Sequence, residues 1–502
     1  MKRSQRKSGV ILGYANILVK NLVNLVYTPM LLSFVGQADY GVFQASSSFV
    51  FSLTLLTFGF SGAYVRFYTV RKENGDKAGI QQLNGMYLVL YSAVTALALV
   101  LGFVLAGNAR VLFSSSFTAG QVVLARRLLQ IMTLNIAVTL FSTVFDSYII
   151  AHEQFVFQQT RQLLTSLATP LLAFGFLLMG FGAVGVALAQ LGVTLLLLLL
   201  NAKFAFINLG MRFDVRHFDV GLFGSISAFS AWIFANQICD LVNQNVPNFL
   251  LGTLASASAV AVFAVAVQIR SVFSSLSTTM SSVFVPKVNS IVAKTDDNFE
   301  LTRLMTKIGR YQLILFTWVF GGFVLLGHFF IQKWAGRDFE SAYWLICAMT
   351  FPFMVPLCQN IGIEIQRAKN RHKARSLVYL LMAVVNILIT LLFARSLGYW
   401  APAIGFIVSM LFGPGLFMNW YYQKRIGLDM RYFWSHCFPV VFYGLISVVI
   451  VSLFKIVLPV SSWATFLLVG LVYTVVYLLF IWSRVANNAE RQAVITRLPF
   501  LR

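Results

Sequence analysis

Acidic residues are scarce in this chain: 16 Asp and Glu stand against 38 Lys and Arg over 502 residues, and charged residues of both signs make up only 11%. So little charge excludes a soluble globular protein of this length, which would lack the polar surface to cover its core. Cysteine is nearly missing too. Cys239, Cys347, Cys358 and Cys437 lie in or at the edge of apolar runs, with neither metal-type spacing nor a framework of exposed pairs, so no redox or disulfide role is implied. The formal net charge of +22 invites a nucleic-acid reading, but the basic residues are spread through short gaps and form no basic domain or aromatic-interleaved patch, so no nucleic-acid partner is expected.

What the chain has in abundance is apolar sequence, 59% of its residues, with a mean hydropathy of +0.79. Runs of about 20 apolar residues, enough to cross a hydrocarbon core about 30 Å thick, fall near 10–35, 44–69, 80–106, 124–149, 155–180, 183–208, 219–251, 259–286, 308–330, 341–366, 376–394, 400–423, 433–456 and 462–483. The expectation is an all-α polytopic membrane protein with 14 transmembrane helices. Its basic first residues, 1–7, look like the start of a secretion signal, but the run that follows is too long, carries Lys20 and offers no small-residue cleavage site. It reads as a retained first helix. Assigning alternate gaps to the cytoplasm places 28 of the 38 Lys and Arg on that side and 7 on the other, a bias that puts both termini inside. The outer gaps are short, the longest being 107–123 and 328–341. They leave no room for an extracytoplasmic catalytic domain, and the chain is read as a non-enzyme.

An internal repeat organises these spans. A shift of 220 residues lays 15–66 over 235–286 without a gap, so that Leu31 meets Leu251, Phe43 meets Phe263 and Val65 meets Val285. The polar positions follow the same register: Asn16, Lys20 and Asn24 stand against Asn236, Asp240 and Gln244, each set one turn apart on a single helical face. Six helices return the chain to its starting side, so the halves are parallel repeats related by an axis along the membrane normal. The division expected is 1–218 for the first six-helix bundle, 219–432 for the second, and 433–502 for two additional helices and a cytoplasmic tail.

Charges inside spans demand a functional account. Lys20 lies roughly 15 Å into its span at 1.5 Å per residue, where an unpartnered charge costs at least about 2.5 to 3.5 kcal/mol. Asp240 and Arg270 are similarly deep, whereas Arg66, Lys287 and Glu364 lie nearer the cytoplasmic ends, where snorkelling is the plain alternative. A structural ion pair of Asp240 with Lys20 or Arg270 competes with a binding role. Asn16, Asn24, Asn236, Gln237, Asn243, Gln244, Asn245 and Asn248 would be surplus to such a lock and suit a hydrated cavity that meets hydroxyl-rich cargo. The candidate substrate-binding set is therefore Lys20, Arg66, Arg270, Lys287, Asn16, Asn24, Asn236 and Gln244, with Asp240 and Glu364 as coupling or charge-pair residues. No metal or organic cofactor is implied; a coupling ion, Na+ or H+, is the one candidate. Pro29, Pro247, Pro352, Pro356 and Pro402 are expected to bend helices, and Asp297 with Glu300 to cap an interfacial helix that leads into the ninth span.

Over essentially its whole length the sequence resembles the bacterial polysaccharide exporters of the multidrug/oligosaccharidyl-lipid/polysaccharide superfamily, the Wzx-type flippases. The residues that carry this are Thr28-Pro-Met-Leu with Gly36 and Tyr40-Gly-Val-Phe43, Phe58-Gly-Phe with Val65-Arg-Phe67, Asn236-Gln-Ile-Cys-Asp240 with Phe249-Leu-Leu-Gly252, Val283-Phe-Val-Pro-Lys287, and the run from Gln359 to Lys369. Their order and spacing together make the resemblance. It implies movement of undecaprenyl-pyrophosphate-linked oligosaccharide from the inner to the outer leaflet of the bacterial plasma membrane, for capsule, O-antigen or a related polymer. The implied partners are that lipid-linked substrate, membrane lipids, and a polymerase and glycosyltransferases of the same pathway. The lipid II flippases resemble the chain less, since their arginine-rich first-helix pattern is not visible. The drug-antiporter branch, which exports small amphipathic compounds with ion coupling, fits a twelve-helix core but not fourteen spans.

Overall fold

The structure is a computed structural model that describes residues 2–216, 219–228, 230, 234, 238, 245–369, 371, 373–487 and 490–491, with side chains described from residue 12 onward except at Tyr14 and Leu18. The described residues form helices joined by short links, and no strand. Thirteen helical stretches are long and apolar enough to cross a membrane, and they coincide with every expected span except 219–251, which contains residues outside the description. The chain is a multi-pass all-α membrane protein. It divides into two compact units, residues 1–264 with 391–399 and residues 265–390 with 400–502.

The first unit contains α1 (Lys2–Val35), α2 (Gln37–Ser52), α3 (Phe60–Glu73), α4 (Lys77–Gly107), α5 (Ala119–Ala151), α6 (Phe155–Leu178), α7 (Gly182–Lys203) and α8 (Val246–Leu254). Their boundaries follow from local chemistry. Asp76 caps α4 by accepting from the Gly79 N–H at 2.7 Å, and Thr118 with Gln121 forms a capping box on α5. Between α2 and α3 the second span is broken: Phe58 and Gly59 both take positive φ, 45° and 71°, a conformation the glycine accepts freely and the phenylalanine does not. One end of the unit is a tyrosine-rich core. Tyr87 donates to the Phe60 carbonyl at 2.8 Å, Tyr64 donates to Asn84, and the Asn84 amide donates to the Arg212 carbonyl at 2.8 Å. These bonds, with Tyr68 on His152 and Tyr148 on the Leu209 carbonyl, gather the connections after the second, fourth and sixth spans at one end. Ser115 donates to the Thr253 carbonyl at 3.0 Å at the other end, next to the connection after the third span.

α9 (Ala257–Ser282) begins in the first unit and continues into the second. There follow α10 (Val285–Lys294), α11 (Asn298–Trp334), α12 (Glu340–Cys358), α13 (Asn360–Ala368), α14 (Lys373–Leu397, partly in the first unit), α15 (Trp400–Met410), α16 (Met430–Val457) and α17 (Trp463–Phe480). The core of the second unit lies around α11 and α16 and includes Phe316, Phe433, Tyr473 and Tyr477. Asp297 caps α11, accepting from the Phe299 N–H at 2.7 Å, as expected for a helix start. The stretch 298–310 is not a separate interfacial helix, however: it is the first part of α11, which runs unbroken for 37 residues. Leu301, Leu304, Met305 and Ile308 are buried in the protein core, which an interfacial helix lying on lipid would not allow.

The prolines divide into two groups. Pro29, Pro352 and Pro356 lie inside helices, but Pro247 stands in the first turn of α8 and Pro402 in the first turn of α15. A missing N–H costs nothing there, so these two start helices rather than bend them. Pro414 falls in a wide turn, 411–417, whose carbonyls at Pro414 and Gly415 accept from the Asn419 amide at 3.1 and 2.7 Å. A side chain thus replaces the backbone donors that the wide turn gives up. In the second unit the connections after the eighth, tenth and twelfth spans also meet at one end, where Lys369 pairs with Asp296 at 2.6 Å and Arg371 donates to the Arg425 carbonyl. His328 with Glu340, and Lys455 donating to the Leu325 carbonyl at 2.7 Å, mark the opposite end. In both units the connections group as alternate assignment of gaps requires.

Candidate functional site

Arg270 is the central candidate. It is placed by α9 about 20 Å from the start of a helix roughly 39 Å long at 1.5 Å per residue, hence near mid-membrane. Its guanidinium lies over the Phe406 ring, 3.9 Å from the centroid, and 5.6 Å from that of Phe353, with the Met349 sulfur 3.9 Å from Nη1. Among the described residues no carboxylate pairs with it. Aromatic faces hold a cation without neutralising it: each such contact contributes roughly 0.5 to 2 kcal/mol, below the cost of a charge at that depth. The N–H groups that remain are donors with fixed direction, suited to an anion.

The other candidates are distributed over both units. In the first, Asn16, Lys20 and Asn24 are on α1 and Arg66 is on α3. Asn16 is buried and its amide donates to the Gln159 carbonyl at 2.7 Å and to Gln159 Oε1 at 2.8 Å, which ties α1 to α6. Lys20 is exposed, Asn24 half-buried and Arg66 exposed. In the second unit Lys287 is exposed on α10, and Glu364 accepts from Arg367, one turn along α13, at 2.8 Å. Asn236, Asp240 and Gln244 lie outside the described residues, and so do the pairs expected of Asp240 with Lys20 and Arg270.

Two charge networks escaped sequence reasoning. On α5 Asp146 pairs with Arg161 of α6 at 2.6 Å; Arg161 also donates to Asn201 at 2.8 Å, and Asn201 to Ser142 at 3.0 Å. The available signal was Asp146 itself, a lone carboxylate inside an apolar run. In the second unit Arg310 forms a two-pronged pair with Glu490, at 2.9 and 2.8 Å, and donates to the carbonyls of Val485 and His436. Both side chains are nearly buried, 7% and 12% exposed. Burial pushes the Glu490 carboxyl up, but the hydrogen bonds from Arg310 and from the Asn487 N–H outweigh it and hold the group below the usual carboxylate range. A pairing 180 residues apart in sequence leaves no local pattern.

A group of polar side chains elsewhere in the second unit is joined by hydrogen bonds. Gln312 donates to the Ser277 carbonyl at 3.0 Å and to Ser281 at 2.9 Å, and Asn360 donates to Ser277 at 2.7 Å. These join helices, while Arg270 has no carboxylate partner among the described residues.

Known proteins share this arrangement of membrane-length helices. The fold matches a solved lipid II flippase MurJ, in an inward closed conformation, with a TM-score of 0.73 over 98% of this chain and 99% of that one, at 14% identity. It also matches an inward-facing multidrug resistance MATE family transporter of the MOP superfamily, with a TM-score of 0.59 over 81% of this chain and 98% of that one, at 14% identity. In sequence, an uncharacterised membrane protein EpsK of Bacillus subtilis (strain 168) is 22% identical over 481 residues, 94% of this chain and 93% of the relative. Residues 6–292 match the polysaccharide biosynthesis protein family, and the chain belongs to that family. At 14% identity the two solved structures share the fold with this chain.

Proposed function

We infer that the protein moves undecaprenyl-pyrophosphate-linked oligosaccharide from the inner to the outer leaflet of the bacterial plasma membrane by alternating access, for capsule, O-antigen or a related polysaccharide. The observation that carries this reading is Arg270, an aromatic-backed guanidinium deep in α9 with no carboxylate partner among the described residues. A pyrophosphate supplies the countercharge that this site lacks, and the fork of the guanidinium matches phosphate oxygens. Exposed Lys20, Arg66 and Lys287 add cations for the head group. Asn24, Asn236 and Gln244 contribute amides for sugar hydroxyls, while the polyprenyl tail stays in lipid. Outward movement of an anion is favoured by about 2.3 kcal/mol per charge per 100 mV when the cytoplasm is negative. Asp240 is the candidate site for a coupling Na+ or H+, and polymerase and glycosyltransferases are the expected pathway partners.

The test is reconstitution of the purified chain into liposomes with lipid-linked oligosaccharide, with its leaflet distribution read by a membrane-impermeant glycan label. Transfer between leaflets that depends on Arg270 supports the reading. Folded protein that moves no lipid-linked glycan, yet transports small amphipathic cations against a gradient, would place it with the drug exporters instead.

A further inference from the structure

The connection-bearing end of the second unit holds a basic pocket that the transport reading does not use. The α10–α11 link supplies Asp296, the start of α11 Asn298, the α13–α14 link Lys369 and Arg371, and the turn before α16 Lys424 and Arg425, around a cavity of about 400 Å³. That size falls within the roughly 300 to 1,000 Å³ of small-ligand sites. Four cations therefore face one carboxylate. A positive-inside bias explains why basic residues lie on this side, but not why three separate links bring them around one concavity.

The pocket is also built. Lys369 is only 9% exposed, and its ammonium is held by Asp296 at 2.6 Å and by Asn298 Oδ1 at 2.7 Å. Asp296 sits at φ 45°, a left-handed conformation that a non-glycine residue adopts at a cost. Gly427, at φ 85°, closes the wall so tightly that a Cβ there would lie 2.5 Å from the Asn298 amide nitrogen. Arg371 is fixed by donating to the Arg425 carbonyl and by the Tyr421 hydroxyl, which donates to the Arg371 carbonyl at 3.2 Å. Lys424 and Arg425 are exposed, and no carboxylate pairs with them or with Arg371 among the described residues. Cations held this close repel one another, and a multivalent anion relieves that repulsion while matching the guanidinium forks.

We propose that this pocket binds a phosphate-bearing anion of two or more charges, at a site distinct from Arg270. The ligand is either a lipid phosphate headgroup from the adjoining leaflet or a soluble phosphate compound, because its walls come from links between membrane-spanning helices and from the start of α11, and meet both phases. The inference stands whether or not the cargo is a lipid-linked oligosaccharide.

The full chain, purified in detergent, is titrated with inorganic pyrophosphate by calorimetry. In parallel it is placed in nanodiscs of phosphatidylcholine with or without phosphatidylglycerol, and retained phospholipid is counted by native mass spectrometry. The Lys424→Gln, Arg425→Gln double variant is expected to bind at least tenfold more weakly, while Lys373→Gln, a nearby cation outside the pocket, binds as wild type. Melting temperature without ligand reports folding, and Lys424→Gln alone carries the test should the double variant fold poorly. Pyrophosphate binding lost in the variant identifies a soluble ligand, and lost retention of phosphatidylglycerol identifies a headgroup. The proposal is overturned if wild type binds neither, if the pocket variants bind as wild type does, or if Lys373→Gln weakens binding as much as they do.

Discussion

Arg270 and Arg310 belong to the same unit, both lie within long apolar helices, and they are treated in opposite ways. Arg310 is sealed: a carboxylate takes two of its N–H groups and backbone carbonyls take others. Arg270 rests on two phenylalanine rings and a methionine sulfur, with no described carboxylate near it. A sealed arginine is structural, because its charge is already compensated in the resting fold. An open one is the proposed site, since a bound anion would supply the compensation that the described residues do not. Arg161 of the first unit belongs with the sealed group, held by Asp146 and Asn201.

The largest expected effect is on the open side of this contrast. Arg270→Ala should reduce lipid-linked oligosaccharide transfer in liposomes at least a hundredfold while the protein still inserts and melts no lower than wild type, since removing the charge also removes its insertion penalty. Arg270→Lys, which keeps the charge but loses the fork, should recover part of the transfer. Unimpaired transfer by a Lys20→Ala, Arg270→Ala double variant would falsify the cationic site.

The sealed side should respond in stability first. Glu490→Gln leaves Arg310 buried with a weakened partner, and breaking a buried pair from one side costs roughly 3 to 5 kcal/mol. Chemical or thermal unfolding should register that loss, and a double change to Arg310→Met with Glu490→Leu should regain most of it. If Glu490→Gln melts as wild type, Arg310 is not sealed and the contrast fails. Asp146→Asn should cost less, about 1 to 3 kcal/mol, because Asn201 still accepts from Arg161. A double-mutant cycle with Arg161→Gln measures the coupling, and additive effects would remove Arg161 from the sealed class.

The smallest effect is a pH dependence. His152, between α5 and α6, is held below its ordinary value of 6.5 by burial, against a backbone bond to Tyr148 and with help from Lys72. The unfolded chain therefore binds the proton more readily, so stability is full above that ordinary value and declines as pH falls through the lower folded one. Glu490, also depressed in the fold, adds a second decline below its ordinary value of 4.5. Melting temperature followed from pH 8 to about 3 should show the first step vanish in His152→Gln and the second in Glu490→Gln. A first step that persists in His152→Gln would belong to some other group.

The apolar runs were long enough that thirteen of the expected spans reappear as membrane-length helices with small shifts at their ends. The cap at Asp297 follows from residue type alone, because an N-cap needs only a side-chain oxygen within a turn. Less legible was the fate of each polar residue. Asn16 and Lys20 share a helix and a spacing of four, yet one is tied to Gln159 and the other is exposed. Leu301, Leu304, Met305 and Ile308 belong to a stretch with the pattern of an interfacial helix and are buried in protein. Periodicity reports which face of a helix is apolar, not whether lipid or another helix covers it.

By itself the sequence determined that this is an all-α membrane protein, where thirteen of its spans run, and that Arg270 is a charge out of place. Those properties depend on residues near one another in the chain, since crossing a bilayer requires some 20 consecutive apolar residues with their backbone bonds satisfied within the helix. Only the tertiary structure decided which charges are spent. Glu490 reaches Arg310 across 180 residues, Asp146 meets Arg161 across a helical turn-around, and Arg270 meets the faces of Phe353 and Phe406. The worth of a charge in a membrane is set by what stands within a few ångströms of it, and helix packing chooses those neighbours.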